Sequence, residues 1–184
     1  MSPKDGSGIP HASNRTIQIT HVTIPCNRSF EEAKAALERA VPPLDLTFLA
    51  SSKSGNFQAA HTALKALPTL NHFILPPRNF GRLLNVLDRE GKAIQYEIGN
   101  PLTATLMTQH ELGVGLYAPI RVLLREDRNG EAFFEFDRPT STMGQFEDEQ
   151  VNVVACELDR DLTEVLVIAA GWETYGQWKS KSRL

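Results

Sequence analysis

Apolar and polar positions begin to alternate at Thr16. Ile17, Ile19, Val22 and Ile24 are separated by polar residues, with a change of phase near His21, which predicts a bulged strand over 16–24. Ser29-Phe-Glu-Glu32 has the spacing of a capping box, in which Ser29 opens a helix and Glu32 reaches back to it. The apolar face of that helix is Phe30, Ala33, Leu37, Ala40 and Val41, and Pro42-Pro43 ends it. Between 45 and 77 the pattern is less regular; a short helix is predicted over 57–67, stopped by Pro68, and a short strand over 72–75. Phe80, Leu83, Leu84 and Leu87 fall at helical spacing over 79–90, with Gly91 as the stop. Alternation returns over 92–98, where Ile94, Tyr96 and Ile98 oppose Gln95 and Glu97. Asn100-Pro101 then supplies an N-cap and a proline at the first helical position, predicting a helix to about His110.

The segments 120–126 and 132–137 flank Asn129-Gly130 and read as a hairpin. A two-residue Asn-Gly turn would set Val122 against Asp137 and Leu124 against Glu135, mixing charge into both faces. A three-residue loop with Gly130 in the left-handed bulge position instead gathers Ile120, Val122, Leu124, Ala132, Phe134 and Phe136 on one face. The other face then pairs Arg121 with Asp137, Leu123 with Glu135 and Arg125 with Phe133. Because a one-residue slip exchanges the two faces, burial selects the second register.

Val151, Val154, Ala155, Leu158, Leu162, Val165, Leu166 and Ala169 form one stripe of a long final helix, with acids at its start and Gly171 at its end. A helix near the start, antiparallel strands in the middle and a long helix at the end predict a two-layer α+β domain.

Composition narrows this picture modestly. The 184 residues are 41% hydrophobic and 22% charged, which fits a soluble globular chain large enough to fold without metal or disulfide. The expected division is a mobile arm over 1–14, one domain over 15–171 and a basic tail over 172–184. No window is long and apolar enough to cross a membrane, and the first residues lack the apolar stretch of a secretory signal. Cys26 and Cys156 match neither a zinc nor a redox spacing and read as free thiols of a cytoplasmic protein.

The net charge of −3 is unevenly spread. Between Glu126 and Asp161 eleven acids face three arginines, whereas the tail carries Lys179, Lys181 and Arg183 against Glu173. An acidic body without a basic stripe argues against nucleic acid as a partner.

Three places could carry chemistry. On the polar hairpin face, Arg121 opposite Asp137 forms an expected ion pair, with Arg125, Glu135, Leu123 and Phe133 around it. That surface suits either a solvated sheet face or a groove wall or dimer contact. The loop Asp137–Phe146 leaves a strand through Pro139 and offers Arg138 and Ser141, among other polar groups, to a ligand or to its own backbone. His110 closes the helix opened by Asn100-Pro101, where the dipole favours imidazolium. His21, His61 and His72 show no metal-ligand spacing, and there is no nucleophile elbow, phosphate loop or dinucleotide fingerprint. No cofactor and no metal are expected. Cys26 after Pro25 reads as a small buried thiol in preference to a nucleophile.

Tyr96-Glu-Ile-Gly-Asn-Pro101, Leu116-Tyr-Ala-Pro-Ile-Arg-Val122, Phe136-Asp-Arg-Pro-Thr-Ser141 and the helix through Leu158-Asp159 resemble the domain of unknown function 302 family. The resemblance spans about 17–171 and points to a fungal member. It implies a TATA-binding-protein-like α+β fold of order β-α-β(4)-α, frequent homodimers, and no settled catalytic residues to carry over. The segment near 44–77, expected to be helical, and the basic tail stand out as additions to that pattern.

Two functions from different classes are therefore expected. The first is a cofactor-independent enzyme doing acid–base chemistry on a carbonyl or polyketide-like substrate, by cyclisation, lactonisation or dehydration in secondary metabolism. In it Arg121 holds an anion, Asp137 or His110 moves protons, and Tyr96 and Tyr117 line the pocket with Arg125, Arg138 and Ser141 as further contacts. The second is a non-catalytic homodimer that uses the same face for a small ligand or another protein.

Overall fold

Ser29 caps the first helix as its spacing requires: its hydroxyl accepts from Glu32 N–H, and its own N–H donates to the Glu32 carboxylate at 3.0 Å. The computed structural model describes residues 13–73 and 76–174. Nearly all of the expected arm and tail, and the end of the strand expected over 72–75, lie outside those residues.

In chain order the elements are β1 His21–Pro25, α1 Phe30–Ala40, α2 Thr47–Lys53, α3 Phe57–Lys65, β2 Asn71–His72, β3 Arg78–Asn79 and α4 Phe80–Leu84. They continue with β4 Ala93–Gly99, α5 Pro101–Thr108, β5 Ile120–Glu126, β6 Ala132–Asp137, α6 Pro139–Thr142 and α7 Glu149–Ala169. The sheet order is β1-β6-β5-β4-β2, with β3 also on β4, and these strands pair antiparallel throughout.

The hairpin adopts the register that burial selects. Val122 faces Phe136, Leu124 faces Phe134 and Arg125 faces Phe133. Gly130 sits at φ +82° in the left-handed region, where a side chain would be strained. The Asp127 carboxylate shapes the loop by accepting from Asn129 N–H at 2.8 Å and Glu131 N–H at 3.0 Å.

One sheet face is the core. Ile24, Phe134, Leu124 and Ile94 form one row across it, and Tyr96, Ile98, Val122 and Phe136 are buried beside them. α1 contributes Phe30, Ala33 and Leu37. α7 adds Val151, Ala155, Leu158, Leu162 and Leu166, each apolar side chain larger than alanine worth about 1.5–3 kcal/mol relative to exposure. Gly171 at φ +92° ends the helical run as expected. The opposite face carries alternating polar side chains, with His21, Thr23 and Arg121 exposed.

Three expected elements differ. The first strand starts at His21 and has no bulge. Thr20 N–H donates to Ser141 Oγ, and Thr20 O accepts from Arg138 N–H, so the preceding chain is led off past the end of β6 with no strand to pair with. The helix expected over 79–90 is only α4 plus a 3₁₀ turn over 85–87, ended by Asp88 at φ 51°, not by Gly91. Its apolar ridge points outward, with Leu83 61% and Leu87 71% exposed. The inward position is Gly81, where a Cβ would lie 2.3 Å from Gly91 O, so close backbone packing decides the orientation. Thirdly, the region before β2 holds α2 as well as the expected α3.

Candidate functional site

Gly99-Asn100-Pro101 turns the chain sharply from β4 into α5. Asn100 Oδ1 accepts from Leu102 N–H at 2.7 Å and from Thr103 N–H at 3.4 Å, while Nδ2 donates to Pro68 O at 2.8 Å. The chain returns through a 3₁₀ segment over 112–117, where Glu111 accepts from Gly113 N–H at 2.8 Å, and enters β5 after a cis Ala118–Pro119 bond. β6 ends beside this entry at Asp137, and Pro139 opens α6. Arg138 Nη1 donates to both Asp159 oxygens at 3.0 and 3.1 Å, and Thr140 Oγ1 donates to Oδ2 at 2.8 Å, tying α6 to α7.

Two adjoining cavities open at this end of the sheet. The first, about 80 Å³, is apolar and includes Phe73, Ile98, Gly99, Met107, Met143 and Leu158 in its lining. The second, about 50 Å³, is lined by Tyr117, Arg121, Asp137 and Thr142 among others. Pro119 and Ile120 belong to both walls.

Asp137 is not paired with Arg121. Its carboxylate meets His21 Nδ1 at 2.9 Å, because β1 places His21 directly opposite Asp137. Arg121 lies across β4 from Glu97, and Glu97 is taken by Arg78. Arg121 therefore has no ion pair among the described residues, although both neighbouring strands carry an acid beside it. The His21–Asp137 pair is well exposed, so its effect on stability is under about 1 kcal/mol.

The remaining candidates scatter. Tyr96 lies on the core face, where its hydroxyl donates to Glu38 Oε1 at 3.2 Å; burial first, then Glu38, push its pKa upward. It lines neither cavity. His110 is exposed just beyond α5 and also lines neither. Arg125 sits four residues along β5 from Arg121, roughly 13 Å away. There it bonds Glu135 at 2.6 Å and stacks over Phe133 at 4.9 Å.

Arg138 helps line a separate cleft of about 370 Å³ with Thr140, Cys156 and Asp159, and Ser141 is committed to Thr20 N–H and Arg138 O. Of the eight candidates, Tyr117, Arg121 and Asp137 come together. His21 joins them through the Asp137 carboxylate without lining either cavity, and Thr142 comes from the 137–146 loop already singled out. In the sequence His21 marks only the change of phase in the first strand, and which strand it faces depends on a pairing over a separation of 116 residues. Burial pushes the Cys26 thiol up to about 12, so it stays protonated and inert. Among the described residues no cluster of three metal-ligating side chains occurs, and no helix is long and apolar enough to cross a membrane.

The sequence profile described as Domain of unknown function DUF302 matches residues 51–168, well over half of the chain. The chain belongs to the DUF302 family. A crystal structure of an uncharacterized conserved DUF302 protein from Bacillus stearothermophilus is similar in fold, with a TM-score of 0.55 at 14% identity, covering 82% of this chain and 94% of that one. No curated protein matches the sequence. The DUF302 motifs met in the sequence meet in space: Gly99 and Asn100, then Tyr117 to Arg121, then Asp137 and finally Leu158 surround the two cavities.

Proposed function

We propose that this DUF302 chain is a cytoplasmic, cofactor-independent acid–base enzyme acting on a small carbonyl compound, by cyclisation, lactonisation or dehydration in secondary metabolism. The observation that carries this reading is the convergence of Arg121, Tyr117 and Asp137 on a cavity beside an apolar one, with His21 on the Asp137 carboxylate. Asp137 fixes the His21 ring through Nδ1 and leaves Nε2 to take the proton next to a carbonyl. The electron pair moves onto the carbonyl oxygen, and the Arg121 guanidinium steadies the resulting enolate. Return of a proton to carbon or oxygen completes the cycle without cofactor.

The test is exchange of the α-protons of acetoacetate in deuterated buffer, followed by NMR. The wild type is expected to exceed the buffer rate. His21→Gln and Asp137→Asn are each expected to lose about 10²–10⁴-fold, the usual scale of a positioned proton carrier. Equal rates in wild type and both variants would overturn the assignment.

The open sheet face favours a second reading, a homodimer. Leu123 lies at its centre, flanked across the strands by Glu135 and Gln95 and along its own strand by Arg121 and Arg125. An apolar centre within a charged rim is the anatomy of a protein contact. A dimer formed there would sediment as a monomer after Phe133 or Arg125 is replaced.

A further inference from the structure

We infer that the ligand of this site is a small carboxylic acid with a compact apolar tail, the tail entering the pocket at Gly99 and the carboxylate meeting Arg121. The inference rests on the proposed site and names its substrate class.

Gly99 carries the first half of the argument. It lies within β4 and its φ is not in the left-handed region, so its backbone does not need glycine. A Cβ there would lie 3.5 Å from Phe73 Cε2 and 3.7 Å from Pro119 Cβ, ordinary contact distances. A side chain at this position would therefore fit and would occupy the gap between Phe73 and Pro119; glycine keeps it open. The lining is otherwise apolar except for Asn100, whose amide is spent on capping α5 and on Pro68 O, and Thr103. A volume of about 80 Å³, roughly half that of an apolar cavity of about 150 Å³ that takes benzene, encloses a short branched alkyl group or the leading edge of a ring at its mouth, and not an extended chain.

Arg121 carries the second half. The acids on either side of it are engaged by His21 and Arg78, which leaves its guanidinium the group in that row able to receive a carboxylate. Pro119 and Ile120 line both cavities, and both cavities open to solvent at this end of the sheet, so a ligand a few bonds long reaches both by passing over that shared rim.

Titration of the full chain with phenylacetate, phenylacetamide and octanoate, read by NMR shifts, tests this. Phenylacetate is expected to saturate below about 10 mM, in keeping with a fragment of its size. The amide and the Arg121→Gln variant are each expected to bind at least about tenfold more weakly, the loss of one charge-assisted pair. Octanoate is expected to bind more weakly than phenylacetate. Gly99→Ala should weaken phenylacetate and Gly99→Val should abolish it, with melting curves to show that each variant is folded; the alanine variant decides the matter if valine prevents folding.

No saturation by phenylacetate, an amide as tight as the acid, or unchanged affinity in Gly99→Ala would each overturn the inference. If phenylacetate binds with these dependences while acetoacetate exchange stays at the buffer rate, the ligand class stands and the catalytic reading fails. If exchange depends on Asp137 while phenylacetate binding ignores Gly99 and Arg121, the reverse holds.

Discussion

Ile24, Phe134, Leu124 and Ile94 cross the sheet in one row and face the helices; Thr23, Glu135, Leu123 and Gln95 cross it in the next row and face outward. The two rows use neighbouring residues of the same strands, yet they obey different rules. The inner row is held by burial, which has no direction and tolerates no gaps. The outer row is held by which acid happens to meet which base, and that depends on strands far apart in sequence. Asp137 illustrates the point: the hairpin brings Arg121 near it, but β1 delivers His21 to 2.9 Å. Each face thus has its own currency, apolar volume inside and partner choice outside, and mutations should separate them.

The largest separation is expected at Phe133 and Phe134, adjacent in sequence and on opposite faces. Phe134 is fully buried, and Phe134→Ala should cost about 3–5 kcal/mol through lost burial and the cavity left behind. Phe133 is half-buried under the Arg125 guanidinium, and Phe133→Ala should cost about 1 kcal/mol or less. Urea unfolding with unchanged slope measures both. Equal losses would mean that the outer face is as enclosed as the inner one.

The same contrast explains what could be read from the chain. Elements fixed by neighbours were legible: the Ser29 capping box, the Asn100-Pro101 turn, the hairpin register through Gly130, and the stripe of α7. In each, a few consecutive residues set the geometry and burial chose between alternatives. The α4 ridge misled because Leu83 and Leu87 have helical spacing but the contact is made by backbone at Gly81. In the site, Tyr117, Arg121 and Asp137 were legible since they border one hairpin and its entry. Tyr96 was assigned to the pocket although its alternation with Gln95 and Glu97 places it on the core face. His21 was missed because antiparallel pairing of the first strand with the last leaves no local trace.

A smaller effect is expected where the inner face carries a titratable ring. His72 pairs with Ile98 at the sheet edge and is buried, 5.1 Å from the Tyr96 ring. Neither of its ring nitrogens has a hydrogen-bond partner among the described residues. Burial lowers its pKa, with Glu38 on α1 opposing in part. The unfolded chain then takes up a proton near the ordinary histidine value of about 6.5, while the folded chain resists it. Stability should therefore be full above that pH and fall as the pH drops below it toward the lowered folded value. His72→Phe is expected to flatten the dependence of the urea midpoint between about pH 7 and 5. An unchanged slope would show that His72 is neutralised or solvated in both states.

The smallest effect is expected at Leu123, and it is the one that can break the comparison. Its neighbour Leu124 is fully buried, so Leu124→Ala should cost about 2–5 kcal/mol at any protein concentration. Leu123 lies half-buried at the centre of the open face, and Leu123→Ala should cost under about 1 kcal/mol in a monomer. A second copy seated on that face changes the reasoning, because association stabilises the folded state by mass action and the loss at Leu123 becomes dependent on concentration. Unfolding midpoints of wild type and Leu123→Ala, measured over a hundredfold range of protein, separate the cases. Parallel lines keep the outer face as solvated surface. Lines that diverge as concentration rises make Leu123 a core residue of the assembly.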